Sequence, residues 1–253
     1  PARRSWPSRR PARPAAARPA VGPEVAGAAE GRLTLRYFDA RGVAETARVL
    51  LAVAGADWED HRYPITFGTP GDFKTIQREE FEEDRASGKM DVAMGKVPVL
   101  DVGGFSLPQS KAIERYLAAR FGLMGSTPEE AAWVDAVAEH VRDISDAYAK
   151  KGIFFMKDAE KKKEIEDKWF GEELPEMMGR LEGALPSKVG GFAVGDKVSY
   201  ADVLIFRQLK DSYGDREAAA LAPGCPKLLA IAEKVGGLKP VSSWLESRPK
   251  TMF

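Results

Sequence analysis

The chain contains a single cysteine, Cys225, and only two histidines, His61 and His140, among 253 residues. One cysteine excludes an internal disulfide framework, and two histidines without ligand-like spacing exclude a zinc site written into the sequence. A reducing compartment fits, and the cytoplasm is the expected setting. Flanked by Gly224 and Pro226, Cys225 reads as a small buried residue near a helix start rather than a nucleophile. Long apolar runs are missing too, because Arg, Asp, Glu or Lys interrupts each one before the roughly 20 residues that a membrane helix needs. Net charge is absent as well, with 38 basic and 38 acidic residues. The first 32 residues carry seven of those basic residues, all Arg, and two of the acidic ones, so 31 basic and 36 acidic residues remain beyond them. That mildly acidic remainder offers no basic face to nucleic acid or to an anionic membrane, which leaves small molecules as the expected partners.

Residues 1–31 are dominated by Pro, Ala and Arg without hydrophobic periodicity, and are expected to be disordered. Their Arg-rich, acid-poor character fits an organelle transit segment, but serine is sparse and proline frequent, so a plain linker fits equally. From Leu33, the alternation Leu33, Leu35, Tyr37 predicts a strand with one buried face. Val43, Ala47, Leu50, Leu51 and Ala54 then recur at helical spacing up to Gly55, predicting a helix buried along one stripe. Trp58 to Tyr63 reads as a second strand, followed by a polar excursion over 64–95, part of it helical, anchored by Phe67, Phe73, Ile76 and Phe81. Val97 to Val102, the Gly103-Gly104 turn and Phe105 to Leu107 form a hairpin, and a helix runs from Gln109 to Gly122. Thr127 and Pro128 open an all-helical remainder, with helices expected over 132–148, 157–185, 200–213, 226–235 and 241–246. The division is an α/β domain over 32–121 and an all-α domain over 127–253.

Several residues are candidates for chemistry. Pro98 cannot donate to a sheet ladder, so it marks either an edge strand or a cis turn at Val97, where free backbone groups could pair with a peptide-like ligand. Gln109 and Ser110 open a helix directly after a strand, at the positive dipole end that suits a carboxylate, although capping by Ser110 explains them too. Ser199 and Asp202 form an acidic capping box, with Val198 placed to staple the helix start. The mixed charges over 160–168 read as a solvated helix face. Phe154, Phe155 and Met156 read as core rather than pocket.

The segments LRYFDARGVAETAR, GKVPVLDV, LPQSKAIERYLAARFGL, TPEEAAWVDAV, VSYADVLIF and SSWLESRPKT, in this order from Leu33 onward, resemble the cytosolic glutathione transferases, with the sigma-like class most similar. The resemblance implies a thioredoxin-like N-terminal domain that binds glutathione and a helical domain that walls a hydrophobic electrophile, in a homodimer. It implies that Tyr37 donates a hydrogen bond to the glutathione thiolate, that Val97 before Pro98 pairs with the cysteinyl backbone, and that Gln109 and Ser110 hold the γ-glutamyl carboxylate. Lys96 would face the glycyl carboxylate, Phe73 would stand where a glutathione-contacting tryptophan is usual, and Asp143 would reach the γ-glutamyl ammonium bound to the other subunit. Lowering a thiol pKa of about 8.5 by two units takes about 2.7 kcal/mol and turns a few per cent of thiolate at neutral pH into a majority. The accompanying loss of nucleophilicity is smaller than that gain.

The chain departs from the pattern at Val43, where an arginine is usual, and at Phe73. Gln77 stands near the place of a lysine. Glu139 and Arg142 replace part of an acidic cluster linked to metal activation in prostaglandin-isomerising members, so no metal and no prostaglandin specificity are expected. Thiolate conjugation is the first reading. Glutathione-dependent isomerisation or peroxide reduction would use the same thiolate, and a non-catalytic binding protein would use the same fold. A glutaredoxin-like activity is excluded because no cysteine lies in the turn after the first strand.

Overall fold

The computed structural model describes residues 31–69, 72–186, 191–213 and 224–251. The Pro/Ala/Arg-rich extension, Gly31 excepted, lies outside the described residues. The element order is β1 (Leu33–Phe38), α1 (Glu45–Val53), β2 (Trp58–Tyr63), β3 (Thr66–Phe67), β4 (Ile76–Gln77), α2 (Glu79–Ala86), β5 (Val99–Val102), β6 (Phe105–Pro108) and α3 (Ser110–Arg120). The helical remainder follows as α4 (Pro128–Lys150), α5 (Ala159–Lys168), α6 (Leu174–Ala184), α7 (Tyr200–Lys210), α8 (Pro226–Gly236) and α9 (Lys239–Ser247).

Four strands form one sheet in the order β2-β1-β5-β6. β1 runs parallel to β2 and antiparallel to β5, which pairs with β6 through the Gly103-Gly104 turn. A parallel pair needs a crossover, and α1 supplies it. Leu33, Leu35, Leu100 and Val102 face α1 and α3 in a core continuous with that of the helical half. A second, smaller core of Tyr63, Phe81, Met90, Ala93 and Val99 sits under α2. Phe81 is thus the buried anchor of the excursion, and Met90 shares that role although nothing periodic marks it.

Three expectations need correction. Val43 is 55% exposed in a 3-10 turn ahead of α1, not on its buried stripe. α1 is buried on every side from Glu45 to Leu51, because α7 and α9 cover the face that its charged residues occupy. The single helix read over 157–185 is α5 and α6 joined by a wide π turn at Trp169–Glu173. Pro175, in the first turn of α6, has no N–H to donate, and the wider turn removes the conflict with a continuous α-helix.

Local signals hold. The Thr127 side chain accepts from Glu130 N at 3.1 Å, and the Ser199 N–H donates to Asp202 Oδ2 at 2.8 Å. α5 buries no residue. Cys225 is buried just ahead of α8, and burial raises its thiol pKa. Among the described residues no helix is long and apolar enough to cross a membrane.

Candidate active site

The register of the sheet brings three of the predicted residues into a row. Arg36 on β1 lies opposite Val99 on β5, and Val99 lies opposite Pro108 on β6. One residue further along each strand are Tyr37, Pro98 and Gln109, side by side at one end of the sheet. Pro98 is buried and joined to Val97 by a cis peptide bond, which decides between the two readings of that proline. Gln109 has φ 74 and ψ 115, a conformation that costs a non-glycine residue about 1–3 kcal/mol. Its side chain is exposed and caps nothing, and Ser110 is the first helical residue rather than the cap. The capping explanation for Ser110 therefore fails, and the first N–H groups of α3 stay open at its positive end.

The remaining predicted residues stand apart from this row. Lys96 is exposed two residues before Pro98, and Asp143 is exposed on α4. Phe73 opens the 3-10 turn Phe73–Thr75, and its side chain lies outside what the structure describes.

The Tyr37 hydroxyl is held by the turn between β1 and α1. The backbone N–H of Val43 faces its oxygen, too loosely aligned to count as a hydrogen bond but close enough to oppose the rise in phenol pKa. Gly42 makes that approach possible: a Cβ there would lie 2.5 Å from the hydroxyl, and its φ of +42 suits glycine. The Arg48 guanidinium lies 5.8 Å from the centre of the Tyr37 ring. Burial raises the Tyr37 pKa, outweighing the opposing pull of the Val43 N–H and the Arg48 charge. The phenol therefore stays protonated at neutral pH and has a proton to donate.

The turn that holds Tyr37 also forms one wall of a cleft of about 610 Å³. Arg41 and Val43 line it from the α/β half, and Ser145, Tyr148, Gln208 and Tyr213 line it from α4, α7 and the segment after α7. Phe154 lines it too and is 54% exposed, so it belongs to a pocket rather than to the core as its sequence context suggests.

Sequence reasoning missed the ionic network beneath this cleft. Arg48 is fully buried and reaches Asp60 at 3.0 Å, Glu45 at 3.2 Å and the Ala40 carbonyl at 2.7 Å. Glu45 also accepts from Trp244 and Arg248, and Asp211 accepts from Arg41, Arg207 and Arg248. Burial first, and repulsion from Arg248 and Arg41, hold the Arg207 pKa down to about 10 against the pull of Glu45 and Glu114. The one available signal was Glu45 and Arg48, two charges three residues apart inside an otherwise apolar helix. Among the described residues no group of His, Cys, Asp or Glu is arranged to hold a metal ion.

The sequence profile of the glutathione S-transferase N-terminal domain matches residues 33–119, and that of the C-terminal domain matches residues 143–248. The chain belongs to the glutathione S-transferase family. Within the family it is 34% identical to hematopoietic prostaglandin D synthase of Gallus gallus over 86% of this chain and 96% of the relative. It is 33% identical to probable glutathione S-transferase 7 of Caenorhabditis elegans over 86% of this chain and 97% of the relative. Among solved structures, a monomeric glutathione S-transferase of the hookworm Necator americanus superposes with a TM-score of 0.67 at 28% identity, covering 88% of this chain and all of that one. The transferase thus has the thioredoxin-like and helical halves that its sequence predicts, and glutathione is its co-substrate.

Proposed function

We propose that this transferase conjugates the glutathione thiolate to small hydrophobic electrophiles, with Tyr37 as the activating donor. The observation that carries the reading is the place of the Tyr37 phenol, whose pKa burial raises, at the sheet end beside cis-Pro98 and Gln109. In this reading residues 32–121 hold glutathione and residues 127–253 hold the electrophile. Val97 and Pro98 pair with the cysteinyl backbone. Gln109, Ser110 and the open N–H groups of α3 receive the γ-glutamyl carboxylate, while Lys96 and Phe73 serve the glycyl end. Asp143, exposed on α4, serves the site of a second subunit in a sigma-like homodimer, and the exposed Phe105 and Trp133 supply apolar surface for that contact. Detoxification in the cytoplasm is the setting that fits a chain with one buried cysteine. Isomerisation is a second use of the same thiolate, favoured by the similarity to a prostaglandin synthase.

The test is a titration of the bound thiolate absorbance against pH, in wild type and in Tyr37→Phe. Wild type should bind glutathione with a depressed thiol pKa, and the variant should bind it with a pKa near that of a free thiol. Binding without activation in wild type would leave a carrier, and no binding would remove the site assignments.

A further inference from the structure

Five basic and three acidic side chains line the cleft beside the Tyr37 turn. Those on α4 and α5, Arg142, Asp146, Lys162 and Glu166, are exposed or half-buried, so their charges are screened. Arg207, which lines the cleft from α7, is different. Its side chain is 11% exposed, and that of Asp211 beside it is 4% exposed. Nη1 of the guanidinium meets the Asp211 carboxylate. Nε is buried and has no hydrogen-bond partner among the described residues. A buried donor without a partner is costly, and a ligand oxygen that meets it removes that cost.

The charges around Arg207 do not balance. Arg41, Arg48, Arg207 and Arg248 share three carboxylates, Glu45, Asp60 and Asp211, and Arg62 claims Asp60 as well. Glu114 also attracts Arg207, but Lys111 engages both of its oxygens, at 3.0 and 3.1 Å. With Lys111 and Glu114 counted, five cations face four anions, so among the described residues one positive charge lacks a counter-charge. The lowered Arg207 pKa, held down by burial and then by repulsion from Arg248 and Arg41, agrees with that count. A buried cation short of counter-charge is destabilising until an anion reaches it, and the cleft gives an anion that access.

We propose that Arg207 receives a carboxylate carried by the electrophile, so that the cleft selects electrophiles that join an aromatic body to an acid group. This rests on the conjugation reading above. A guanidinium offers parallel N–H groups along its Nε edge, the geometry that a carboxylate accepts. Tyr148, Phe154 and Tyr213 line the same cleft and supply apolar surface for the aromatic body. The rings favour a flat apolar molecule, and the guanidinium discriminates between its neutral and anionic versions. The acid group takes no part in bond making, so Arg207 holds it equally in ground and transition states. Its contribution therefore lowers KM and leaves kcat alone.

The experiment compares kcat/KM for para-(chloromethyl)benzoate with that for its methyl ester at saturating glutathione, each divided by its uncatalysed rate constant. In both, the glutathione sulfur bonds to the benzylic carbon as the C–Cl bond breaks and chloride leaves with the electron pair. Wild type should prefer the acid about tenfold or more, through KM. Arg207→Met should abolish most of that preference, whereas Lys162→Met, which removes the half-buried amine of the same cleft, should lower it less than about twofold. An unchanged preference in Arg207→Met, or a fall in Lys162→Met as large as that in Arg207→Met, overturns the proposal. If Arg207→Met does not fold, wild type decides through inhibitors. Unreactive para-methylbenzoate should compete with the ester about tenfold more tightly than para-methylbenzamide, and equal competition overturns the proposal. If wild type turns over the ester without preferring the acid, the inference falls while conjugation stands. If it turns over neither, conjugation itself falls and takes this inference with it.

Discussion

Arg248 donates from Nη1 to Glu45 Oε1 at 2.9 Å across 203 residues of chain, and from Nη2 to Asp211 Oδ1 at 2.7 Å. One guanidinium thereby joins α1 of the glutathione half to the end of α7 and to the segment after α9. Asp211 in turn accepts from Arg41, the neighbour of the turn that holds Tyr37. Tertiary packing and the geometry of the active site thus share one set of charges.

Removing Arg248 should cost stability. Arg248→Met leaves Glu45 and Asp211 buried with their other arginines, so the loss should be about 2–3 kcal/mol, below that for a buried charge stripped of its only partner. Urea unfolding at neutral pH measures it, with an unaltered slope marking an intact two-state transition.

The same network sets a pH dependence. Burial pushes the Glu45 carboxyl up, but Arg207, Arg248, Trp244 and Arg48 together hold its pKa below the ordinary value of 4.5. A depressed carboxylate pKa stabilises the fold fully above the unfolded value, and that contribution disappears as pH falls through the folded one. Wild type should therefore exceed Glu45→Gln in stability at neutral pH, and the gap should narrow progressively below about pH 4.5. Unfolding midpoints from pH 3 to pH 7 give that curve, and a gap that stays constant would remove Glu45 from this role.

How much of this was legible in the sequence follows from the distance over which each feature is encoded. The strand ending at Tyr37, the Thr127 cap and the Ser199–Asp202 box are written within a few residues and are found where the pattern puts them. Pro98 narrows to two readings locally, and only the pairing with β1 and β6 decides between them. Glu45 and Asp211 each have one partner within a helical turn, Arg48 and Arg207, but the Arg248 that joins them lies 203 residues from Glu45 and 37 from Asp211, and no local period connects the three. Val43 and Phe154 mislead for a related reason: an apolar residue on a cleft wall has the same periodicity as one in a core.

Gly42→Ala should separate site geometry from fold. The new Cβ meets the Tyr37 hydroxyl at 2.5 Å and takes a backbone of positive φ. The phenol must move, and a displacement of about 1 Å at a reacting group costs about 100-fold in rate. kcat/KM should drop by about that factor, with the bound thiol pKa returning toward about 8.5. Equal activity in the variant would show that the Tyr37 hydroxyl does not act from this position.

Asp202→Ala tests the capping box of α7. The carboxylate accepts from Ser199 N at 2.8 Å, from Ser199 Oγ at 2.6 Å and from Ala193 N at 2.7 Å, all buried. Alanine removes the cap and strands two backbone donors, so the expected loss is about 2–4 kcal/mol. α7 carries Gln208 and precedes Asp211, so activity should disappear at the temperature where this helix loosens. Parallel thermal scans of circular dichroism and turnover check that coincidence.

Phe154→Ala should behave in the opposite way. At 54% exposure the ring contributes little to the fold, and a substitution there should alter stability by no more than about 0.5 kcal/mol. As part of the cleft wall, the exposed part of the ring would be covered by a bound electrophile, and covering a phenylalanine is worth about 1.5–3 kcal/mol when complete. Roughly half of that contact would raise KM for a hydrophobic electrophile about three- to tenfold, and KM for glutathione should stay within about twofold if the tripeptide lies at the sheet end as proposed. The halves of the site are then distinguished by one variant: a rise confined to the electrophile places Phe154 in its pocket, whereas a rise in both constants would mean that the segment after α4 also shapes the glutathione end.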